Sequence, residues 1–214
     1  MQIFWNGYSS IRIETKSNNE TFVITTDPFE NESAIRFSKA VQPDMLLLSH
    51  QDRSRFNLDA VSGNPFIISN PGEYEVGGVF VHGIQDKTVD SGLKRPLIYK
   101  IDIEDMTVAF LGGINREITS NEIDALGNVD VLILPVGGGD VLGAKTAFKF
   151  ISLIEPRLII PINYYIPGIK AKLEPVDMFC NLAATCKRED ASKIKISKKD
   201  LPSSEMVIKV LERS

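Results

Sequence analysis

Histidine is nearly missing from this chain, whose 214 residues hold only His50 and His82. Zinc hydrolase sites draw on several neutral imidazoles together with carboxylates, so two imidazoles cannot hold two zinc ions in the usual way. Cysteine is as scarce: Cys180 and Cys186 stand six positions apart, which makes no C-x-x-C knuckle. Both fall in a segment that reads as one helix, on different faces. Buried reduced thiols are therefore expected rather than a bridge. Positive charge is not in excess, with 24 Lys and Arg against 28 Asp and Glu and a net charge of -4. Nothing here favours nucleic acid or an anionic membrane. The run Lys193, Lys195, Lys198, Lys199 reads as the solvent face of a strand. No apolar run approaches the ~20 residues that span a bilayer, and the first seven residues read as strand and turn, not as a signal segment. A soluble, cytoplasmic protein is the expectation. At this length and 43% hydrophobic content, residues 1–214 can bury one full core and are read as a single domain.

Short β runs fill the first half. Gln2–Trp5, Ser10–Glu14 and Thr21–Thr26 are separated by Asn-Gly and by a polar Lys16–Glu20 turn, which is hairpin chemistry. Met45–Ser49, Phe66–Ser69, Val79–Val81, Leu97–Ile103 and Thr107–Leu111 continue the pattern, with Glu73 to Glu75 placed in a turn after Pro71-Gly72. Val131–Val136 and Leu158–Ile162 are apolar throughout, as strands covered on both faces are. Lys193–Ile196 and Met206–Leu211 close the chain as alternating strands. Helical spacing is predicted over Ser120–Leu126, capped by Thr119, over Ala144–Ile154, ended by Pro156, and over Pro175–Lys187. This order fits two sheets with helices outside them, a four-layer αββα sandwich.

The chemistry-bearing segment is Leu46-Leu47-Leu48-Ser49-His50-Gln51-Asp52-Arg53-Ser54-Arg55, an apolar strand running into a polar loop. With it stand Asp27-Pro28, Asn70-Pro71-Gly72-Glu73-Tyr74-Glu75-Val76, Phe110-Leu111-Gly112-Gly113, Val129-Asp130-Val131-Leu132, Pro135-Val136-Gly137-Gly138 and Ile160-Pro161-Ile162-Asn163-Tyr164. Taken in order, these landmarks resemble the metallo-β-lactamase superfamily, in particular its short metal-dependent hydrolases, over nearly the whole chain. The resemblance implies the αββα fold and a cleft built around the metal signature H-x-H-x-D-H. Here His50 matches the first position, whereas Asp52, Ser54 and Arg55 replace the remaining three. Gly113 stands where the family has an aspartate, Asn163 where it has its last histidine, and Thr88 near another. Arg55 opposes a divalent cation with a fixed positive charge, and it is expected to turn toward Asp52 or the cleft floor. Asp27 is expected at the cleft, as its family counterpart is.

Several features have plain readings. His82 alternates with Val79-Phe80-Val81 on a strand face. Ser9, Ser10 and Ser49 lack a His-Asp arrangement for a serine triad. Gly137-Gly138-Gly139-Asp140-Val141-Leu142-Gly143-Ala144-Lys145-Thr146 nearly spells a phosphate loop, but Ala144 breaks the Gly-Lys step. The sequence thus reads as a diverged member of that fold lacking a dinuclear zinc site: a non-catalytic binding or scaffolding protein with a small molecule or a protein as partner. Two alternatives stay open. One is a metal-dependent hydrolase of an ester, lactone or phosphodiester, using one weakly held Zn, Mn or Fe ion at His50 and Asp52, with Asn163 as a further candidate ligand. The other is a phosphate or nucleotide binder using the Gly137 to Gly139 turn. No other cofactor is expected, and self-association into a homo-oligomer is left open.

Overall fold

The computed structural model describes residues 1–17, 20–32, 35–38, 42–86, 96–183, 186–189, 191–203 and 205–214. The chain opens with three strands, β1 (Gln2–Gly7), β2 (Ser10–Ser17) and β3 (Glu20–Thr26), joined as antiparallel neighbours. It returns in parallel as β4 (Met45–Leu47) and β5 (Phe66–Ile68). The second sheet starts with β6 (Gly72–Val76), β7 (Val79–Ile84), β8 (Ile98–Ile103) and β9 (Met106–Phe110), again antiparallel. It then turns parallel at β10 (Val131–Pro135) and β11 (Leu158–Ile162). Late strands β12 (Cys186–Arg188), β13 (Lys193–Lys195) and β14 (Val207–Val210) complete both sheets. The first has the order β13-β1-β2-β3-β4-β5 and the second β12-β14-β11-β10-β9-β8-β7-β6.

The two sheets share one apolar core. Ile3, Trp5, Ile11, Ile13, Ile24, Met45 and Leu47 face Ile101, Val108, Phe110 and Ile133 within a single buried cluster. Every residue of β10 and β11 is buried, as strands covered on both faces require. Between parallel strands the chain must cross over an outer face. In the second sheet it does so through helices α1 (Ser120–Leu126) and α2 (Ala144–Ile154). Thr119 caps α1 in a reciprocal box with Glu122, and α2 buries Ala147, Phe150, Ile151 and Ile154. Between β4 and β5 the crossover holds only two 3-10 turns, Arg53–Arg55 and Leu58–Ala60. Among the described residues no helix is long and apolar enough to cross a membrane.

Four expectations need correction. The segment Gly72–Val76 is an edge strand paired with β7, not a turn; its Glu73 and Glu75 do share the exposed face. The third helix, α3 (Asp177–Cys180), spans four residues rather than thirteen positions from Pro175 to Lys187, because the chain leaves it to build β12. That change brings Cys180 and Cys186 to a Cα separation of 5.4 Å, and they form a disulfide rather than two free thiols. Lys193 and Lys195 are exposed on β13 as expected, but Lys198 and Lys199 lie in a 3-10 turn, where the Lys198 ammonium binds the Asp130 carboxylate at 2.7 and 2.9 Å.

Candidate functional site

The carboxyl ends of β3, β4, β9, β10 and β11 open onto one cleft of about 510 Å³, the position where ligands enter open α/β sheets. Of the residues singled out from the sequence, Asp27, His50, Arg55, Gly113 and Asn163 line it, whereas Asp52 and Ser54 do not. Thr88 lies outside the described residues. His82, half-buried on β7 opposite Glu73 and Lys100, does not line the cleft.

Asp27 follows β3 in a left-handed conformation (φ 37°), which turns its carboxyl into the floor. It is buried, and its two oxygens accept the Ser49 amide at 2.7 Å and the Ser49 hydroxyl at 2.6 Å. Burial pushes its pKa up to about 7; the Ser49 hydrogen bonds and the Arg55 charge act in the opposite direction. Ser49 also accepts the Gly113 amide at 3.4 Å, which ties the end of β4 to the loop after β9. Gly112 makes this approach possible: it sits at φ 55°, and a Cβ there would stand 2.3 Å from the Ser49 Cβ. Behind the floor, the Tyr99 hydroxyl of β8 donates to Leu48 and Ile68 carbonyls of the opposite sheet, at 2.6 and 3.1 Å.

The far wall is closed by a second pair. Asn163, at φ 55° after β11, donates its amide N–H to the Ser9 hydroxyl at 2.6 Å and its backbone N–H to the Tyr8 carbonyl. Tyr8 gives its own hydroxyl to Glu32; burial first and Glu32 next push its pKa up to about 12, which removes it as a base near neutrality. Arg116 reaches the rim from the loop after β9. Its guanidinium is clamped by buried Glu122 through hydrogen bonds of 2.6 and 2.8 Å. Ser9, Ser49, Tyr99 and Arg116 are the site residues that sequence reasoning missed. The sequence presents the serines only as candidate nucleophiles, and neither Tyr99 nor Arg116 stands in a motif.

These donors do not fit a metal ion. The backbone N–H of Asp52 donates to His50 Nδ1 at 3.0 Å. An amide can only donate, so a neutral His50 carries its proton on Nε2, and neither ring nitrogen has a lone pair left for a metal. Each Asp27 oxygen accepts one hydrogen bond from Ser49, and Asp52 Oδ1 accepts the Ser54 amide and hydroxyl at 3.2 and 2.7 Å. Among the described residues no three His, Cys, Asp or Glu side chains come together as a cation site. Of the two positions expected for Arg55, toward Asp52 or the cleft floor, the structure has it lining the cleft. Among the described residues no carboxylate lies within salt-bridge distance of Arg55; instead the guanidinium faces the cleft, where its field acts on Asp27.

The glycine turn after β10 uses part of its backbone donor set internally. The Gly138 amide donates to Leu142, the Val141 amide to Gly138 and the Leu142 amide to Ile114, so these donors are consumed internally. Gly137 is needed because a Cβ there would lie 2.3 Å from the Asn163 carbonyl oxygen.

Residues 2–163 match the model of the β-lactamase superfamily domain. The chain belongs to the β-lactamase superfamily. A crystal structure from Thermotoga maritima, of a candidate Zn-dependent hydrolase of the metallo-β-lactamase superfamily, superposes with a TM-score of 0.78 at 28% identity, covering 98% of this chain and 97% of that one. Proteins named metal-dependent hydrolases in Methanopyrus kandleri and Methanosarcina mazei are 25% and 23% identical to it. Each alignment covers 77% of this chain, with 84% and 83% of the respective relative. The αββα sandwich expected from the sequence is thus the metallo-β-lactamase fold. As a superfamily member the chain keeps the cleft, in which Asp27 is bonded to Ser49 and Asn163 to Ser9.

Proposed function

We propose that this chain is a small-molecule binding protein that retains the superfamily cleft without its metal chemistry. The observation that carries this reading is the hydrogen-bond state of the floor. His50 Nδ1 accepts a protein N–H where a metal would need its lone pair, and both Asp27 oxygens already accept protein N–H or O–H groups. Activating water by a cation requires ligands that hold the cation first. The cleft volume, about 510 Å³, lies within the roughly 300–1,000 Å³ of small-molecule sites.

A second reading is favoured by the names of the relatives: a metal-dependent hydrolase working through one weakly held Zn, Mn or Fe ion. The two are separated by metal analysis of protein purified without chelator, followed by a screen of phosphodiester, thioester and lactone substrates with added Zn²⁺, Mn²⁺ or Fe²⁺. The binding reading expects well under one metal per chain and no metal-stimulated turnover. A stoichiometric metal whose removal abolishes hydrolysis would replace it with the second.

A further inference from the structure

We propose that the Arg55 side of the cleft binds the carboxylate or phosphate group of a small organic anion, a proposal that rests on reading the cleft as a ligand site. Among the described residues the charged side chains lining the cleft are Asp27, Arg55, Arg116 and Asp140. Arg116 is balanced by the two-pronged contact with Glu122. Asp27 is buried and each of its oxygens accepts one hydrogen bond from Ser49. Asp140 is exposed at the mouth, where water and salt screen it. Arg55 is left with no carboxylate within salt-bridge distance among the described residues. The positive charge on this side of the cleft is thus one planar guanidinium, whose paired N–H groups match the two oxygens of a carboxylate or phosphate.

The rest of the lining describes the remainder of the ligand. Pro28, Phe29, Phe56, Pro96 and Val141 supply apolar lining in the same cleft as Arg55, so an anionic head with a compact apolar body suits the space. A polyanion such as a nucleic acid does not, because the chain's net charge of -4 repels it. Part of the floor's hydrogen bonding is used internally, since one Asn163 side-chain N–H goes to Ser9 and the Ser49 hydroxyl serves Asp27. Recognition of the anion's charge therefore falls on Arg55, the cleft's cation without a carboxylate within salt-bridge distance among the described residues.

The test is calorimetric titration of the full chain with phenyl phosphate, phenylacetate and, as a neutral control, benzyl alcohol. Saturable binding of an anionic probe is expected, weakened at least tenfold in Arg55→Ala and less in Arg55→Lys, with the benzyl alcohol response equal in all three proteins. Whichever anion binds more tightly assigns the head group as phosphate or carboxylate. Arg55 is exposed, so thermal melts should show the variants folded; Arg55→Gln serves as a second truncation of the charge. Absence of saturable binding by both anions, or equal affinity in Arg55→Ala, Arg55→Gln and the parent, overturns the proposal. A stoichiometric catalytic metal would overturn the binding-protein reading while leaving the Arg55 titration to be judged on its own result.

Discussion

Asp27 makes stability depend on pH in a direction opposite to that of most carboxylates. Its pKa rises from the ordinary 3.8 to about 7 in the folded protein, chiefly through burial. The folded state therefore holds a proton on Asp27 over a range where the unfolded chain has released it. Stability from this group is fully present below about pH 4 and is lost as pH rises toward 7 and beyond, since the folded state binds more protons across that window. A shift of about three units, at about 1.4 kcal/mol each, sets the loss at roughly 4 kcal/mol. Asp27→Asn removes the titration and keeps the shape. Ser49 N–H still meets a carbonyl oxygen at Oδ1, and the Ser49 hydroxyl can turn to accept from the new amide. Urea unfolding of parent and Asp27→Asn at pH 4.5, 6 and 7.5 should show the parent losing ground to the variant as pH rises. In Arg55→Ala the apparent midpoint should move further up, because the guanidinium that favours the charged form is gone. A parent-minus-variant difference that stays flat between pH 4.5 and 7.5, or grows in the parent's favour, would refute the reasoning.

Glu122→Gln strips the buried partner from Arg116 and weakens the box on α1, so it should cost about 3–5 kcal/mol in unfolding free energy, as broken buried ion pairs do. Gly112→Ala must push Ser49 off Asp27, whereas Gly78→Ala, at φ 75° with open space around it, carries only the left-handed penalty of about 1–2 kcal/mol; thermal melts should rank the first variant well below the second. Reverting Asp52, Ser54 and Arg55 to His, Asp and His should raise zinc uptake in equilibrium dialysis over the parent, yet short of two ions per chain, because Gly113 and Asn163 still supply no ligand of the required type. Thiol titration of the denatured chain without reductant should find no free cysteine, and two after reduction; two at the outset would remove the Cys180–Cys186 bond from the fold.

The sequence alone determined the elements whose pattern is local. Helices Ser120–Leu126 and Ala144–Ile154 have the bounds that spacing and caps dictate, and Leu158–Ile162 is the strand its uninterrupted apolar run demands. It also carried the ordered landmarks that place the chain in its superfamily. The site was legible only as a list of candidates, since a residue's type and spacing say nothing of which hydrogen bonds its atoms accept. Packing decided that Asp27 lies beneath Ser49 rather than merely near the cleft, and that Asp52 bonds Ser54 while Arg55 faces the cleft. Tertiary structure also overrode local propensity after Pro175, where an edge position beside β14 turned a predicted helix into α3, a turn and β12, and brought Cys186 back to Cys180. A strand at a sheet edge is chosen by the partner it meets, and that partner, β14, lies at the far end of the chain, about twenty residues away.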